Sequence, residues 1–161
     1  MSNLLTAEID DLLKPAAALT VIICVGNTLR SDDGVGPYIA SYLSNSKLLA
    51  VIDAGYNPEN FIGEAAGLKP GRIVIIDAAD FGGKAGEVKV INEGDIPGAS
   101  LSTHAIPLKV IYHILKEDTA SEIKFIGIQP KEVRHGECLS PEVRAAADKI
   151  ITKIKKEFTD A

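Results

Sequence analysis

Three short runs rich in β-branched residues constrain what this chain can fold into. Val21–Val25 (VIICV), Leu49–Ile52 (LAVI) and Arg72–Ile76 (RIVII) are nearly unbroken apolar stretches, and each ends at a glycine or an aspartate. A run without polar alternation has no face to offer to water. It therefore marks a strand covered on both sides, the condition found in parallel sheets. Between the first two runs, Gly34–Leu43 places Val35, Ile39, Tyr42 and Leu43 on one helical stripe, with Asp32 or Asp33 standing where an N-cap belongs. Asn57–Ala66 supplies a second helix before the third run, so the order is β-α-β.

The remainder extends the same scheme. Glu87–Ile91 (EVKVI) alternates charge with apolar residues and suits a half-exposed, antiparallel edge strand, and Ile123–Ile128 is one more strand. Helices are expected over Ala105–Lys116 and Pro141–Phe158. In the latter, Ser140 caps, Pro141 sits at N1, and Val143, Ala147, Ile150, Ile151, Ile154 and Phe158 share a stripe. The expected object is an α/β fold, a three-layer α/β/α sandwich around a mostly parallel, roughly five-stranded twisted sheet. Residues 1–19 form an N-terminal extension with leucines at helical spacing, and residues 20–161 a single α/β domain.

Composition narrows the function classes. With 161 residues, 46% of them apolar, the chain is long enough to bury roughly 70% of its unfolded surface in one core without metal or disulfide staples. Seventeen Lys and Arg stand against 22 Asp and Glu, and no basic run interleaved with aromatics is present, so nucleic acid is not an expected partner. Glu8, Asp10 and Asp11 interrupt the leucines of the first twenty residues, which spoils both a signal-peptide core and a membrane span. An unprocessed, soluble, cytoplasmic protein without membrane insertion is the expectation. Cys24 and Cys138 form neither a CxxC pair nor a disulfide framework. Cys24 lies within a strand as a small hydrophobe, and Cys138 has no evident activating partner.

In an open α/β sheet, ligands gather beyond the carboxyl ends of the parallel strands. Acids follow three of those ends: Asp32 and Asp33 after the first, Asp53 after the second and Asp77 directly after the third. Singly, each is what a turn former or a cap looks like; together they converge on one rim. Only one of the adjacent pair can cap the helix at Gly34, so the other points into the crevice, where Gly34 and Gly36 permit close backbone approach. Asp77 ends a run of apolar β-formers, where a carboxylate loses hydration unless a cation meets it. Of the three histidines, His113 falls inside a helix and His135 in a charged loop, whereas His104 lies in a Ser-Thr-His segment just ahead of a helix. One imidazole and two carboxylates make a mixed N/O site with open positions, suited to zinc, nickel, cobalt or iron and poor for calcium. HExxH, GxSxG and P-loop patterns are absent, and the 26–36 loop does not fit GxGxxG.

Six spaced segments, taken in order, resemble the hydrogenase maturation proteases, most nearly the branch serving hydrogenase 3-type enzymes. They are VGN at 25–27, SDDGVGP at 31–37, DAGYNPEN at 53–60, VIIDAAD at 74–80, STHAIPL at 102–108 and GIQP at 127–130. The resemblance implies an endopeptidase that removes a C-terminal extension from the precursor of a [NiFe]-hydrogenase large subunit once nickel has been inserted. By motif, the metal-reading and catalytic residues fall on Asp33, Asp77 and His104. Other branches carry Glu where this chain has Asp33, which shortens the reach. The resemblance also links Asp53 and Gly55 to substrate recognition. Nickel, for which zinc or cadmium could substitute in vitro, would be presented by the precursor. It would either polarise the scissile carbonyl or only position the tail while a carboxylate acts as base. Two rivals belong to other classes. A non-catalytic nickel and precursor chaperone would bind without cutting. A phosphoacceptor domain would need its acidic pair at the very end of the first strand and a late Lys-Pro, whereas this chain has Gly127-Ile-Gln-Pro130.

Overall fold

The computed structural model describes residues 5–96 and 107–159. Five strands, β1 (Thr20–Val25), β2 (Leu49–Gly55), β3 (Arg72–Ala78), β4 (Val88–Ile91) and β5 (Glu122–Ile128), form one sheet in the order β2-β1-β3-β5-β4. The pairs β1–β2, β1–β3 and β3–β5 are parallel, and β4 runs antiparallel along the outside of β5. The half-exposed edge strand expected from EVKVI is this β4.

Helices α1 (Ala7–Leu12), α2 (Val35–Ser41) and α5 (Pro141–Phe158) cover one face, and α3 (Ile62–Gly67) and α4 (Leu108–Asp118) the other. Alternation along each strand divides the core accordingly. Ile22, Cys24, Val74, Ile76, Ile126 and Ile128 pack against α1, α2 and α5, while Val21, Ile23, Val25, Ile73, Ile75 and Phe125 pack against α3 and α4. The result is the expected three-layer sandwich. The N-terminal segment joins it: Ile9, Leu12 and Leu13 are buried in the first cluster, and the Arg72 guanidinium lies 3.4 Å from the carbonyl oxygens of Asp11, Leu12 and Lys14 at the end of α1.

Helix α5 follows its sequence closely. Ser140 accepts a hydrogen bond from the Val143 amide, Pro141 occupies the first turn, and Lys155 and Lys156 stand in the last turn, where positive charge favours the dipole. Elsewhere local expectation and structure differ. The 57–66 helix opens as a 3₁₀ turn over Pro58–Phe61, and the 105–116 helix is described from Leu108, with Pro107 at its N-cap. Tyr42, expected on the buried stripe of α2, is 51% exposed, its ring 5.0 Å from that of Tyr38. Helix α2 ends at Ser41, so the stripe no longer carries Tyr42 inward.

The N-cap expectation is also corrected. Residues Ser31–Gly34 form a 3₁₀ turn that runs directly into α2, whose N-cap is Gly34 with no side-chain cap. The Val35 amide finds the Asp32 carbonyl instead, so the turn itself serves one of the helix's open donors. Both carboxylates are thereby released for other work.

Candidate active site

The sheet order places β1 between β2 and β3, so successive crossovers from β1 leave in opposite directions. The carboxyl ends of β1 and β3 therefore flank the switch point, the crevice where open α/β sheets bind ligands. Asp77 is the penultimate residue of β3, and the turn carrying Asp33 follows β1. Sequence order alone gives no hint that these two strands are neighbours.

Asp33 is held by its backbone as much as by its side chain. Its amide donates to the Arg30 carbonyl (3.0 Å), and the Asn27 amide is shared between its carbonyl (3.1 Å) and its carboxylate Oδ2 (3.2 Å). Only 2% of its surface is accessible. This close fold-back depends on two missing side chains. A Cβ at Gly26 would lie 1.9 Å from the Asp33 carbonyl oxygen, and one at Gly36 would lie 2.2 Å from that of Val25. The approach anticipated at Gly36 is thus real, and Gly26 shares the task.

Asp77 is fully buried, paired across the ladder with Gly127, and its Oδ1 accepts from the amide of Ala78 at 2.8 Å. By alternation it shares the face of Ile73 and Ile75, the side covered by α3 and α4. His104 lies outside the described residues; the first described residue after it, Pro107, is the N-cap of α4 on that same face. Among the described residues, no group of three or more His, Cys, Asp and Glu is arranged to hold a metal ion.

Asp53 and Gly55 take a different position. Asp53 is exposed on the edge strand β2, where its Oδ1 accepts from the Gly55 amide at 3.3 Å, and Gly55 adopts a φ of +57°. Asp53 opens into a groove of about 620 Å³ lined also by Thr28, Tyr38, Tyr42, Cys138 and Arg144. Of the acids at the three strand ends, Asp33 and Asp77 are buried on segments following neighbouring strands, and Asp53 is exposed in a groove.

Asp32 does not take the N-cap position that the sequence offered to one of the adjacent pair. It is 0% exposed and turned toward the loop between β5 and α5. Its Oδ1 accepts from the Ser140 amide (2.7 Å), and its Oδ2 from the amides of Lys131 (2.8 Å) and Glu132 (3.0 Å) and from the Ser140 hydroxyl (2.9 Å). A carboxylate has about four lone-pair sites. Oδ2 carries three of these donors and Oδ1 one, so both oxygens are engaged in bracing the loop. Gln129, of the GIQP segment, is a second buried hub: its Oε1 accepts from the amides of Phe81 (2.9 Å) and Gly83 (3.1 Å), and its Nε2 donates to Asp80 (3.1 Å). The Gly82 amide first, and Gln129 second, hold the Asp80 carboxyl below its ordinary range. Neither role has a local sequence signal, since the partners lie about fifty to a hundred residues away.

The remaining candidates are peripheral. Cys24 is buried, and burial, reinforced by the negative charge of Asp53, pushes its thiol far up, so the nucleophilic thiolate is suppressed. Cys138 is exposed. His113 lies on the surface with Nδ1 3.5 Å from Glu93, and His135 is exposed in its loop. No helix among the described residues is long and apolar enough to cross a membrane.

Comparison with known proteins supplies the family. The family model for the hydrogenase maturation protease HycI matches residues 35–157. The chain belongs to the hydrogenase maturation protease family. It is 35% identical over 138 residues to the hydrogenase 3 maturation protease of Escherichia coli K12, covering 84% of this chain and 88% of that one. The [NiFe] hydrogenase maturation protease HycI of Thermococcus kodakarensis superposes with a TM-score of 0.82 at 28% identity, over 96% of this chain and all of the other. The solution structure of the E. coli endopeptidase HycI gives a TM-score of 0.76 at 34% identity, over 86% and 90% of the two chains. Membership in this protease family and the α/β architecture thus rest on both sequence and structure.

Proposed function

We propose that the protein is an endopeptidase that removes the C-terminal extension from the precursor of a [NiFe]-hydrogenase large subunit after nickel insertion, and that Asp33, Asp77 and His104 read the bound nickel. The observation that carries this reading is the placement of two buried carboxylates, Asp33 and Asp77, at the β1/β3 switch point of a chain in the maturation protease family. A divalent cation held by both carboxylates would offset part of the repulsion between them. Nickel arriving on the precursor is such a cation, and carboxylate oxygens with an imidazole suit a borderline divalent ion. The metal is then part of the substrate, and it reports that cofactor insertion is complete.

In this reading the exposed Asp53 and the Gly55 turn meet the precursor in the adjoining groove. The working compartment is the cytoplasm. The test is incubation of the purified protein with nickel-loaded and nickel-free precursor, followed by intact-mass analysis. Loss of a C-terminal peptide from the loaded form alone is the expected result. Binding without a change in mass would instead make the protein a nickel and precursor chaperone.

A further inference from the structure

Asp32 is the immediate neighbour of the proposed nickel-reading Asp33, yet it faces the other way. Besides the four donors on its carboxylate, its own amide donates to the Glu132 carbonyl at 3.0 Å. The stretch before it is laced to the same loop. Ser31 donates from its amide to the Gly136 carbonyl (2.7 Å) and from its hydroxyl to the Arg134 carbonyl (2.8 Å), Arg30 Nε reaches the Val133 carbonyl (3.1 Å), and the Gly136 amide returns to the Leu29 carbonyl (2.9 Å). The loop after β5 is therefore bound to the 29–32 stretch along its length, and Asp32 is the point where it is tied to the start of α5. Ser31 adopts a φ of +51°, a left-handed conformation that a non-glycine residue keeps only when its surroundings impose it. Two residues later the chain presents Asp33.

We propose that Asp32 is a positioning residue for the cleavage reaction: by fastening the β5–α5 loop to the 3₁₀ turn, it sets the direction from which Asp33 meets the substrate. The inference rests on the proposed role of Asp33. The Asp32 side chain touches neither substrate nor metal. It acts by fixing the backbone to which Asp33 is attached, because any rotation of the Ser31–Gly34 turn carries Asp33 with it. Such a contribution appears in the chemical step, since a displacement of about an ångström can lower a rate on the order of 100-fold.

The test compares Asp32→Asn, Asp32→Ser, Ser140→Ala and Asp33→Asn on nickel-loaded precursor, with kcat and KM measured separately and amide exchange followed at Lys131, Glu132 and Ser140. Asn turns an NH₂ group toward N–H donors, and Ser is too short to reach them all. In either variant kcat should fall on the order of 100-fold with KM little changed, and exchange at the three amides should rise. Ser140→Ala removes one of the four donors and the cap of α5, so it lowers the melting temperature. It leaves three backbone amides on Asp32 and should keep kcat near wild type. Wild-type kcat in a folded Asp32 variant would overturn the inference, as would kcat values that simply follow melting temperature across the series. Failure of both Asp32 variants to fold would also overturn it, because Asp32 would then be a residue of the fold. Normal processing by Asp33→Asn would instead overturn the functional reading.

Discussion

Substituting alanine for glycine in a helix ordinarily helps, by up to about 1 kcal/mol. At Gly36 the structure reverses that sign. The added Cβ would lie 2.2 Å from the Val25 carbonyl oxygen, 2.6 Å from its amide nitrogen and 2.8 Å from its carbonyl carbon, whereas real Cβ atoms hardly ever come within 3.0 Å. All three are backbone atoms of the interior strand β1, so no side chain can swing aside. Helix α2 must back away from β1 by most of an ångström. Overpacking of this kind costs about 1–3 kcal/mol and sometimes more. With three backbone clashes the upper part of that range applies, about 2–3 kcal/mol, so less the propensity gain Gly36→Ala should lose a net of about 1–2 kcal/mol, a fall of about 2–8 °C in melting temperature for a chain of this size. Gly63, in α3, provides the control, because its added Cβ would meet nothing within 4 Å. Gly63→Ala should be neutral or stabilising by up to about 1 kcal/mol. Thermal and urea unfolding followed by circular dichroism measure both. Equal or greater stability of Gly36→Ala would refute the close approach of α2 to β1, and with it the account of how Asp33 is held.

Three further expectations can be checked with the same assays. Asp77→Asn preserves shape and removes charge, and His104→Ala removes the imidazole; both should abolish processing of loaded precursor in the intact-mass assay while circular dichroism stays native, and full activity in either would remove that residue from the site. Cys24→Ser places a hydroxyl in an apolar cluster and should cost about 1–3 kcal/mol in urea unfolding. Cleavage should persist, and its loss would point to thiol chemistry. Asp80 has its folded carboxyl lowered from an ordinary value of about 3.8 by the Gly82 amide and then Gln129. Its contribution is therefore present above that value and fades as the pH falls through the folded one. Asp80→Asn should lower the melting temperature at neutral pH by a small margin that disappears in acid, and a margin that grows in acid would show the sign to be wrong.

Much of the architecture was legible because local chemistry and tertiary structure agree. The apolar runs became β1, β2 and β3, EVKVI became the antiparallel edge, and Ser140-Pro141 began α5 as caps and helix starts should. The strand-end rule also directed attention to Asp33, Asp53 and Asp77. It failed where a residue's partner is remote. Asp32 and Asp33 are adjacent and identical, and nothing nearby distinguishes them; donors at residues 131, 132 and 140 do.

The sequence by itself determined which segments become strands and helices and which residue types could meet a divalent cation, because period, caps and burial of apolar side chains are local or nearly local matters. Tertiary structure alone decided that β1 and β3 are neighbours, so that the turn carrying Asp33 and the strand end carrying Asp77 follow adjacent strands, while Asp53 opens into a groove along β2 and α2. It also decided which of two equal carboxylates is used up in bracing a loop. The physical reason is that a carboxylate's role depends on the donors that surround it, and those donors are brought together only when the chain has folded.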